Sequence, residues 1–111
     1  LYKKRNWYSI LRQGFYQVVN GNGQFNTGSA IGQGASVTIS AKTGTAETYT
    51  TTPSGEVVTA VNTNVVAYAP SDNPQIAVSV VLPNLTNQSS MTTKTIMREI
   101  INLYQSMYPM N

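Results

Sequence analysis

A single lysine stands at the end of an alternating strand pattern, in the segment SAKTGTAETY at residues 40–49. Charged residues make up only 10% of the chain, against about 25% in an average soluble domain. Lys42 is followed directly by Thr43, Gly44 and Thr45. Together these residues could supply a positive charge, two hydroxyls that bind a carboxylate, and a backbone N–H that stabilises an oxyanion. A glycine in an edge strand also lets an extended peptide approach the backbone closely.

The composition excludes most other kinds of active site. The 111 residues contain no cysteine and no histidine, which excludes disulfides, thiol catalysis, a Ser–His–Asp triad and the usual zinc sites. The four acidic residues are well separated in sequence, which argues against a carboxylate metal site. We therefore expect no metal and no other cofactor. Basic residues cluster at 3–5 and form no stripe with spaced aromatic residues, so nucleic acid is not an expected partner.

Two segments have the apolar periodicity of helices with one buried face. The first covers residues 6–19, where Gly14 indicates a neighbour that packs closely. The second covers residues 91–108. Its predicted core-facing stripe is formed by Ile96, Ile100, Leu103 and Met107, flanked by Met97, Ile101 and Tyr104. Residues 20–34 contain five glycines and are predicted to form a long flexible loop.

Three strands are predicted between the helices, at residues 35–46, 61–69 and 75–83. The third is almost continuously apolar, which is typical of a strand buried on both faces. Its second face therefore needs a cover or a further neighbour, which we expect from outside these 111 residues. The short links between the strands favour an antiparallel meander. The predicted fold class is therefore α+β, with a three-stranded antiparallel sheet on which an N-terminal and a C-terminal helix pack.

Three segments, in this order, resemble the high-molecular-mass penicillin-binding proteins. GFYQVVN at 14–20 is similar to the helix that precedes their Lys-Thr-Gly strand, and AKTGTAE at 41–47 resembles the extended form of that motif. VVAYAPSDNPQIAVSVVLPN at 65–84 is similar to the two strands that follow and to the turn between them. With its C-terminal residues, the whole chain resembles the class B members of Gram-positive bacteria. Residues 1–111 are accordingly expected to be the C-terminal part of a transpeptidase domain, within a longer polypeptide.

The resemblance implies a serine D,D-transpeptidase that binds the D-Ala-D-Ala end of a peptidoglycan stem peptide and is acylated by β-lactams. It implies that Lys42 supplies positive potential and assists proton transfer. The hydroxyls of Thr43 and Thr45 would hold the ligand's carboxylate, Gly44 would leave the backbone accessible, and the N–H of Thr45 would form half of the oxyanion hole. The parent protein would lie on the extracytoplasmic face of the bacterial membrane, anchored by an N-terminal segment that is not present here.

The sequence departs from the family in lacking the nucleophile. None of its serines is followed three residues later by lysine, and Ser-x-Asn occurs only as Ser71-Asp72-Asn73. That tripeptide follows the Lys-Thr-Gly segment and lies between Pro70 and Pro74, so we interpret it as a turn. We therefore expect the 111 residues alone to be inactive, with the catalytic serines in the upstream part of the domain.

Two other functions remain open at this stage. A non-catalytic peptide-binding or scaffolding module would use the same edge strand. Within the same fold, a serine β-lactamase or a β-lactam sensor is the alternative, although the Thr-Ala-Glu extension of the motif speaks against both. In isolation the chain is expected to expose apolar surface, and so to dimerise or exchange strands.

Overall fold

The chain forms a three-stranded sheet between an N-terminal and a C-terminal helix. The computed structural model describes residues 2–23, 26–87 and 89–110. Its elements are α1 (Tyr2–Asn20), α2 (Ser29–Gly32), β1 (Ser40–Thr51), β2 (Val57–Ala69), β3 (Ile76–Leu85) and α3 (Met91–Met107). Within these ranges, no helix has the length and hydrophobicity that crossing a membrane would require.

The strands pair antiparallel in the order β1-β2-β3, so the predicted meander and the α+β class are confirmed. β1 begins five residues later than predicted and continues through the threonine run to Thr51, where it pairs with Val57. β-branched threonines suit a pleated strand, and only residues 52–56 are left to form the turn. The turn is closed by the N–H of Thr52, which donates to the carbonyl of Glu56 at 2.8 Å. The β1–β2 hairpin is therefore longer than the sequence pattern indicates.

One face of the sheet, the closed face, is covered by α3 and contains the core. Val65 and Ile39 of the sheet region pack with Met97 and Ile101 of α3, and none of these side chains is more than 1% exposed. The predicted stripe of α3 was wrong in its orientation, because Ile100, Leu103 and Met107 are 41% to 61% exposed and only Ile96 packs against the core. Apolar residues surround so much of this helix that the pattern alone does not fix which side meets the sheet.

The N-terminal helix is buried only near its C-terminal end. Val19 is 4% exposed, but Trp7, Ile10 and Leu11 are 70%, 64% and 52% exposed. The predicted close neighbour of Gly14 is also wrong, since a Cβ at this position would meet no atom within 4 Å. Periodicity correctly identifies the helix and its apolar side, but the described elements do not cover that side along its full length.

The glycine-rich segment 20–34 is more ordered than predicted in its described residues. It contains α2, whose Ile31 side chain is completely buried. A Cβ at Gly32 would lie 2.9 Å from Cγ1 of Val19, so this glycine permits close packing of α2 on α1. Arg98 of α3 donates from Nη1 to the carbonyl of Gln33 at 2.8 Å. A helix of four residues is too short to give a periodic signal, which is why the sequence pattern predicts only a loop.

The other face of the sheet, the open face, carries the side chains of Lys42, Asn64, Val66, Ser79 and Val81. Within the described residues, β3 is buried on one face only: Val80 is buried on the closed face, whereas Val81 is 59% exposed. The second cover that its apolar pattern predicts is not provided by the described part of the chain. Val66 of β2 is 51% exposed beside Val81. In the described part of the chain, nothing covers these apolar side chains.

Candidate functional site

The open face carries the lysine of the Lys-Thr-Gly segment. Lys42 pairs with Val66 and Gly44 pairs with Asn64 in the β1–β2 ladder, and cross-strand partners point to the same face. The Lys42 side chain is exposed, and its Nζ donates to the carbonyl of Thr43 at 2.6 Å. The ammonium is thus held close to the edge of β1, in a position open to solvent.

The two threonines of the segment lie on the opposite side of β1 from the lysine. Thr43 pairs with Val65 and Thr45 with Thr63, so their hydroxyls share one side of the strand. The Thr43 hydroxyl is 2.9 Å from the hydroxyl of Thr27, in the segment between α1 and α2. Thr45 is exposed. The two candidate carboxylate ligands therefore differ, because Thr43 already has a hydrogen-bond partner on the protein.

The backbone of β1 presents polar groups on its outer edge. The carbonyl of Thr38 accepts from the N–H of Ser71 at 3.0 Å, on the side of β2. The next carbonyl, that of Ile39, accepts from Nδ2 of Asn20 at 2.9 Å, on the outer side. Continued alternation along the strand directs the N–H and C=O groups of Thr43 and Thr45 to this outer edge. No strand pairs there in the described part of the chain, so these groups can bind an extended peptide or an oxyanion.

The turn that follows β2 fixes the beginning of β1. The Ser40 side chain is fully buried and its hydroxyl donates to that of Ser71 at 2.8 Å. Arg12 of α1 donates from Nη2 to the carbonyls of Ser71 and Asp72 at 3.4 and 3.3 Å. The Ser71-Asp72-Asn73 tripeptide therefore lies in the β2–β3 turn, as its position in the sequence predicts, and its serine hydroxyl serves in this contact.

An apolar cavity of about 210 Å³ lies on the open face beside the lysine. It is lined by Phe15, Ala41, Lys42, Val66, Ala67, Tyr68 and Ala77. The rings of Phe15 and Tyr68 meet edge to face, with their centroids 6.4 Å apart. Such a lining suits the aliphatic stem of Lys42 and keeps its charged end towards solvent. The cavity therefore positions the lysine, and it offers little to a charged ligand.

Sequence reasoning missed Asn64 as a residue of this site. Asn64 lies 20 positions after Gly44 and belongs to no recognisable motif. It reaches the site only through the β1–β2 register, which depends on the length of the hairpin. A correct prediction of the turn at residues 52–56 would have identified it.

Residues 4–102 match the family model described as the penicillin binding protein transpeptidase domain. The chain belongs to this family. The resemblance that the sequence motifs indicate is therefore confirmed over most of the chain.

Individual penicillin-binding proteins are similar over most of this chain. Penicillin-binding protein 2B of Streptococcus pneumoniae (strain TIGR4) is 57% identical over 103 residues, and penicillin-binding protein 2A of Bacillus subtilis (strain 168) is 44% identical over 84 residues. These matches cover 93% and 69% of this chain. The chain spans only 15% and 12% of the length of these curated relatives.

The fold is also similar to solved structures of penicillin-binding protein 2B from Streptococcus pneumoniae. The structure from strain R6 is 57% identical and matches with a TM-score of 0.82. That from strain 5204 is 48% identical, with a TM-score of 0.73. Each match covers 93% of this chain and 16% or 14% of the solved chain. At these identities the helices and the meander are a shared fold and not a chance likeness.

Proposed function

We propose that the chain is the C-terminal part of a peptidoglycan D,D-transpeptidase and supplies the Lys-Thr-Gly wall of its active site. The observation that supports this most directly is the outer edge of β1 beside an exposed Lys42, with which no strand pairs among the described residues. An edge strand can hold the main chain of an extended peptide by ladder hydrogen bonds. A stem peptide that ends in D-Ala-D-Ala is such a ligand, and a β-lactam that mimics it would occupy the same edge.

The proposed reaction transfers an acyl group by way of a serine. The serine oxygen, on the upstream part of the domain, forms a bond to the carbonyl carbon of the penultimate D-alanine. The peptide bond breaks, and the terminal D-alanine leaves after its nitrogen has taken up a proton. The amine of a second stem peptide then attacks the acyl ester, and the serine recovers its proton. Every step passes through an oxyanion at the same carbonyl.

Each residue of the Lys42–Thr45 segment has a part in this proposal. The ammonium of Lys42 contributes positive potential where the serines take up and release protons. The N–H of Thr45, directed to the outer edge, donates to the oxyanion. The hydroxyls of Thr43 and Thr45 donate to the ligand's terminal carboxylate, and for Thr43 this requires exchange of its bond to Thr27. Gly44 has no side chain and so leaves the backbone of β1 accessible to the ligand.

The full-length protein tests the proposal through its rate of acylation by a fluorescent penicillin. We expect the wild-type protein to be labelled and Lys42→Met to be labelled at least about 100-fold more slowly, the scale of a lost proton-transfer group. Lys94→Met removes the same charge from α3, outside the Lys42–Thr45 segment, and should leave the rate unchanged. Equal labelling of wild type and Lys42→Met would exclude the proposed role of this residue.

We further propose that the 111 residues by themselves are not acylated, because they contain neither Ser-x-x-Lys nor an upstream Ser-x-Asn motif. Incubation of the isolated chain with fluorescent penicillin should give no labelled band after denaturation. A covalent adduct would show that a nucleophile within these residues suffices. Unlabelled full-length protein that still binds D-Ala-D-Ala peptides would instead favour a non-catalytic peptide-binding module.

The proposed setting is the extracytoplasmic face of the bacterial membrane, because peptidoglycan is cross-linked there. On this proposal, anchorage is a property of the longer protein, and the partners of this chain are the remaining part of the transpeptidase domain, stem peptides and β-lactams. Protease added to intact, wall-free cells should digest the protein, and protection from protease would contradict this location.

A further inference from the structure

The Thr43 hydroxyl has a hydrogen-bond partner in the glycine-rich segment that precedes β1. Oγ1 of Thr27 lies 2.9 Å from Oγ1 of Thr43, and the contact is exposed to solvent. Thr27 lies between α1 and α2 and belongs to neither helix. The hydrogen bond therefore joins the Lys-Thr-Gly strand to a residue 16 positions earlier in the chain. It lies on the side of β1 that carries the hydroxyls of Thr43 and Thr45.

The residues on both sides of Thr27 are anchored at the C-terminal end of α1. The N–H of Gly28 donates to the carbonyl of Val18 at 2.8 Å. Nδ2 of Asn26 donates to the carbonyl of Gly21, directly after α1, at 3.1 Å. Gly28 is buried, and a Cβ at this position would lie only 3.1 Å from Cγ1 of Val18, so the loop packs closely on the helix. Thr27 is exposed itself, but its neighbours fix its backbone and thus the place of its hydroxyl.

Thr27 lies where the part of the strand that contacts the N-terminal segment passes into the outer edge proposed for the ligand. Just before β1, the carbonyl of Ile39 accepts from Nδ2 of Asn20 at 2.9 Å. Thr27 meets the strand further along, at Thr43. Among the described residues, no strand pairs with the outer edge of β1. Thr27 is therefore at the beginning of the stretch to which the proposed ligand binds.

The protons of the two hydroxyls decide what Thr43 can offer to a ligand. A hydroxyl has one proton to donate and two lone pairs, and a carboxylate only accepts hydrogen bonds. In the pair of Thr27 and Thr43, either hydroxyl can be the donor. When the Thr43 proton points to a carboxylate, the bond between the two threonines is kept only if Thr27 donates. The exchange that ligand binding requires at Thr43 is then a reversal of donor and acceptor.

We propose that Thr27 is a positioning residue that donates to the Thr43 hydroxyl and so directs the Thr43 proton to the terminal carboxylate of the stem peptide or β-lactam. The inference rests on the proposed function and extends the site to the glycine-rich segment. Thr27 acts through Thr43 and does not touch the ligand. A hydroxyl that accepts one hydrogen bond is polarised and donates more strongly in the next, so the carboxylate is bound more tightly than by Thr43 alone.

The test compares acylation of the full-length protein by benzylpenicillin and by its methyl ester, each measured in competition with a fluorescent penicillin. Thr27→Val keeps the shape of the side chain but removes the hydroxyl. It should lower the second-order rate constant for benzylpenicillin about 3- to 10-fold, the scale of one hydrogen bond between neutral groups. The rate constant for the ester, which has no carboxylate charge, should stay within about twofold. Thr27→Ser restores the donor and should bring the benzylpenicillin rate back to within about twofold of wild type.

A double-mutant cycle shows whether Thr27 acts through Thr43. In a Thr43→Val background, Thr27→Val should have no further effect on the benzylpenicillin rate, because the hydroxyl that it positions is gone. Losses that multiply independently would mean that Thr27 binds the ligand itself, and this would overturn the proposed positioning role.

Thr51→Val is the matched control, because Thr51 is an exposed threonine at the far end of β1, where it pairs with Val57. It should react as wild type with both compounds, and thermal unfolding should show that all variants remain folded. If Thr27→Val slows penicillin and ester equally, or slows neither, the role of Thr27 is overturned and the proposed function stands. Failure of the wild-type protein to react with benzylpenicillin would overturn the proposed function, and the role of Thr27 with it.

Discussion

The closed and the open face of the sheet are made by the same three strands, but they differ in what surrounds their side chains. Val65 and Val66 are neighbours in sequence, yet they are 1% and 51% exposed. The closed face meets α3 and holds the core, whereas the open face carries Lys42 and Asn64. The apolar core with α3 lies on the closed face only, whereas the Lys42–Thr45 segment has side chains on both sides of β1. Substitutions of buried closed-face side chains should therefore change the free energy of unfolding, and those of exposed open-face side chains should leave it nearly constant.

The largest effect on stability should come from a methionine of the closed face. Met97 is fully buried in α3, so Met97→Ala should lower the free energy of unfolding by about 2–5 kcal/mol, the range for truncating a buried large side chain. Met107 lies on the same helix and is 58% exposed. Met107→Ala should change the free energy by less than about 0.5 kcal/mol. Urea unfolding followed by circular dichroism measures the free energy of unfolding of both variants. An equal loss in the two would contradict the assignment of Met97, and not Met107, to the core of the closed face.

The two faces can be compared by placing a hydroxyl at two adjacent positions of β2, one on each face. Val65→Thr keeps the shape of the side chain but buries a polar group, and should lower the free energy of unfolding by about 1–3 kcal/mol. Val66→Thr makes the same change on the open face and should stay within about 0.5 kcal/mol of wild type. The same denaturation experiment compares them. A larger loss for Val66→Thr would mean that the open face is covered in solution.

The closed face also contains one buried polar pair, which sharpens the comparison. The hydroxyls of Thr63 on β2 and Thr93 on α3 are hydrogen-bonded to each other, and each residue is 1% exposed. Thr93→Val leaves the Thr63 hydroxyl buried without this partner and should cost about 1–2 kcal/mol. The double variant with Thr63→Val should recover part of that loss. If the two single losses simply add in the double-mutant cycle, the pair does not couple α3 to the sheet.

A small effect on stability should accompany a clear effect on association. Val66→Thr combined with Val81→Thr makes the open face more polar and should leave the free energy of unfolding within about 1 kcal/mol of wild type. If the isolated chain self-associates through this apolar surface, the double variant should shift it towards monomer in sedimentation at equal concentration. Wild-type chain that remains monomeric over a wide concentration range would contradict the predicted association.

The order of the two long helices and the three strands could be predicted from the sequence because each of them has its own local signal. Periodicity located both long helices, and the residues 70–74 located the β2–β3 turn. The orientation of α3 could not be predicted, because the choice of Met97 over Leu103 for the core depends on contacts with residues far away in sequence. The exposure of Trp7 could not be predicted either. An apolar stripe indicates that a helix has a side to bury, but it does not indicate whether the residues that cover it belong to the same chain.

Only the part of the candidate site that is contiguous in sequence could be predicted. Lys42 to Thr45 form one short motif, and their alternation follows from strand geometry alone. Asn64 and Tyr68 join the site through strand pairing, and Thr27 does so through the fold of the glycine-rich segment. The register depends on where the β1–β2 hairpin turns. The run of threonines before that turn was predicted to be a loop, although it belongs to β1. Non-local partners of a local motif are therefore what the sequence does not reveal.

Ser71, in the β2–β3 turn, influences the position of Lys42 without being part of the candidate site. Through its N–H and hydroxyl it is tied to Thr38 and Ser40, just before the lysine. A strand has only two phases, and a slip of one residue exchanges its faces completely. The contacts at Ser71 hold the start of β1 in the phase in which Lys42 emerges on the open face. A one-residue insertion between Ser40 and Lys42 should turn the lysine to the closed side of β1 while leaving every residue of the motif in place.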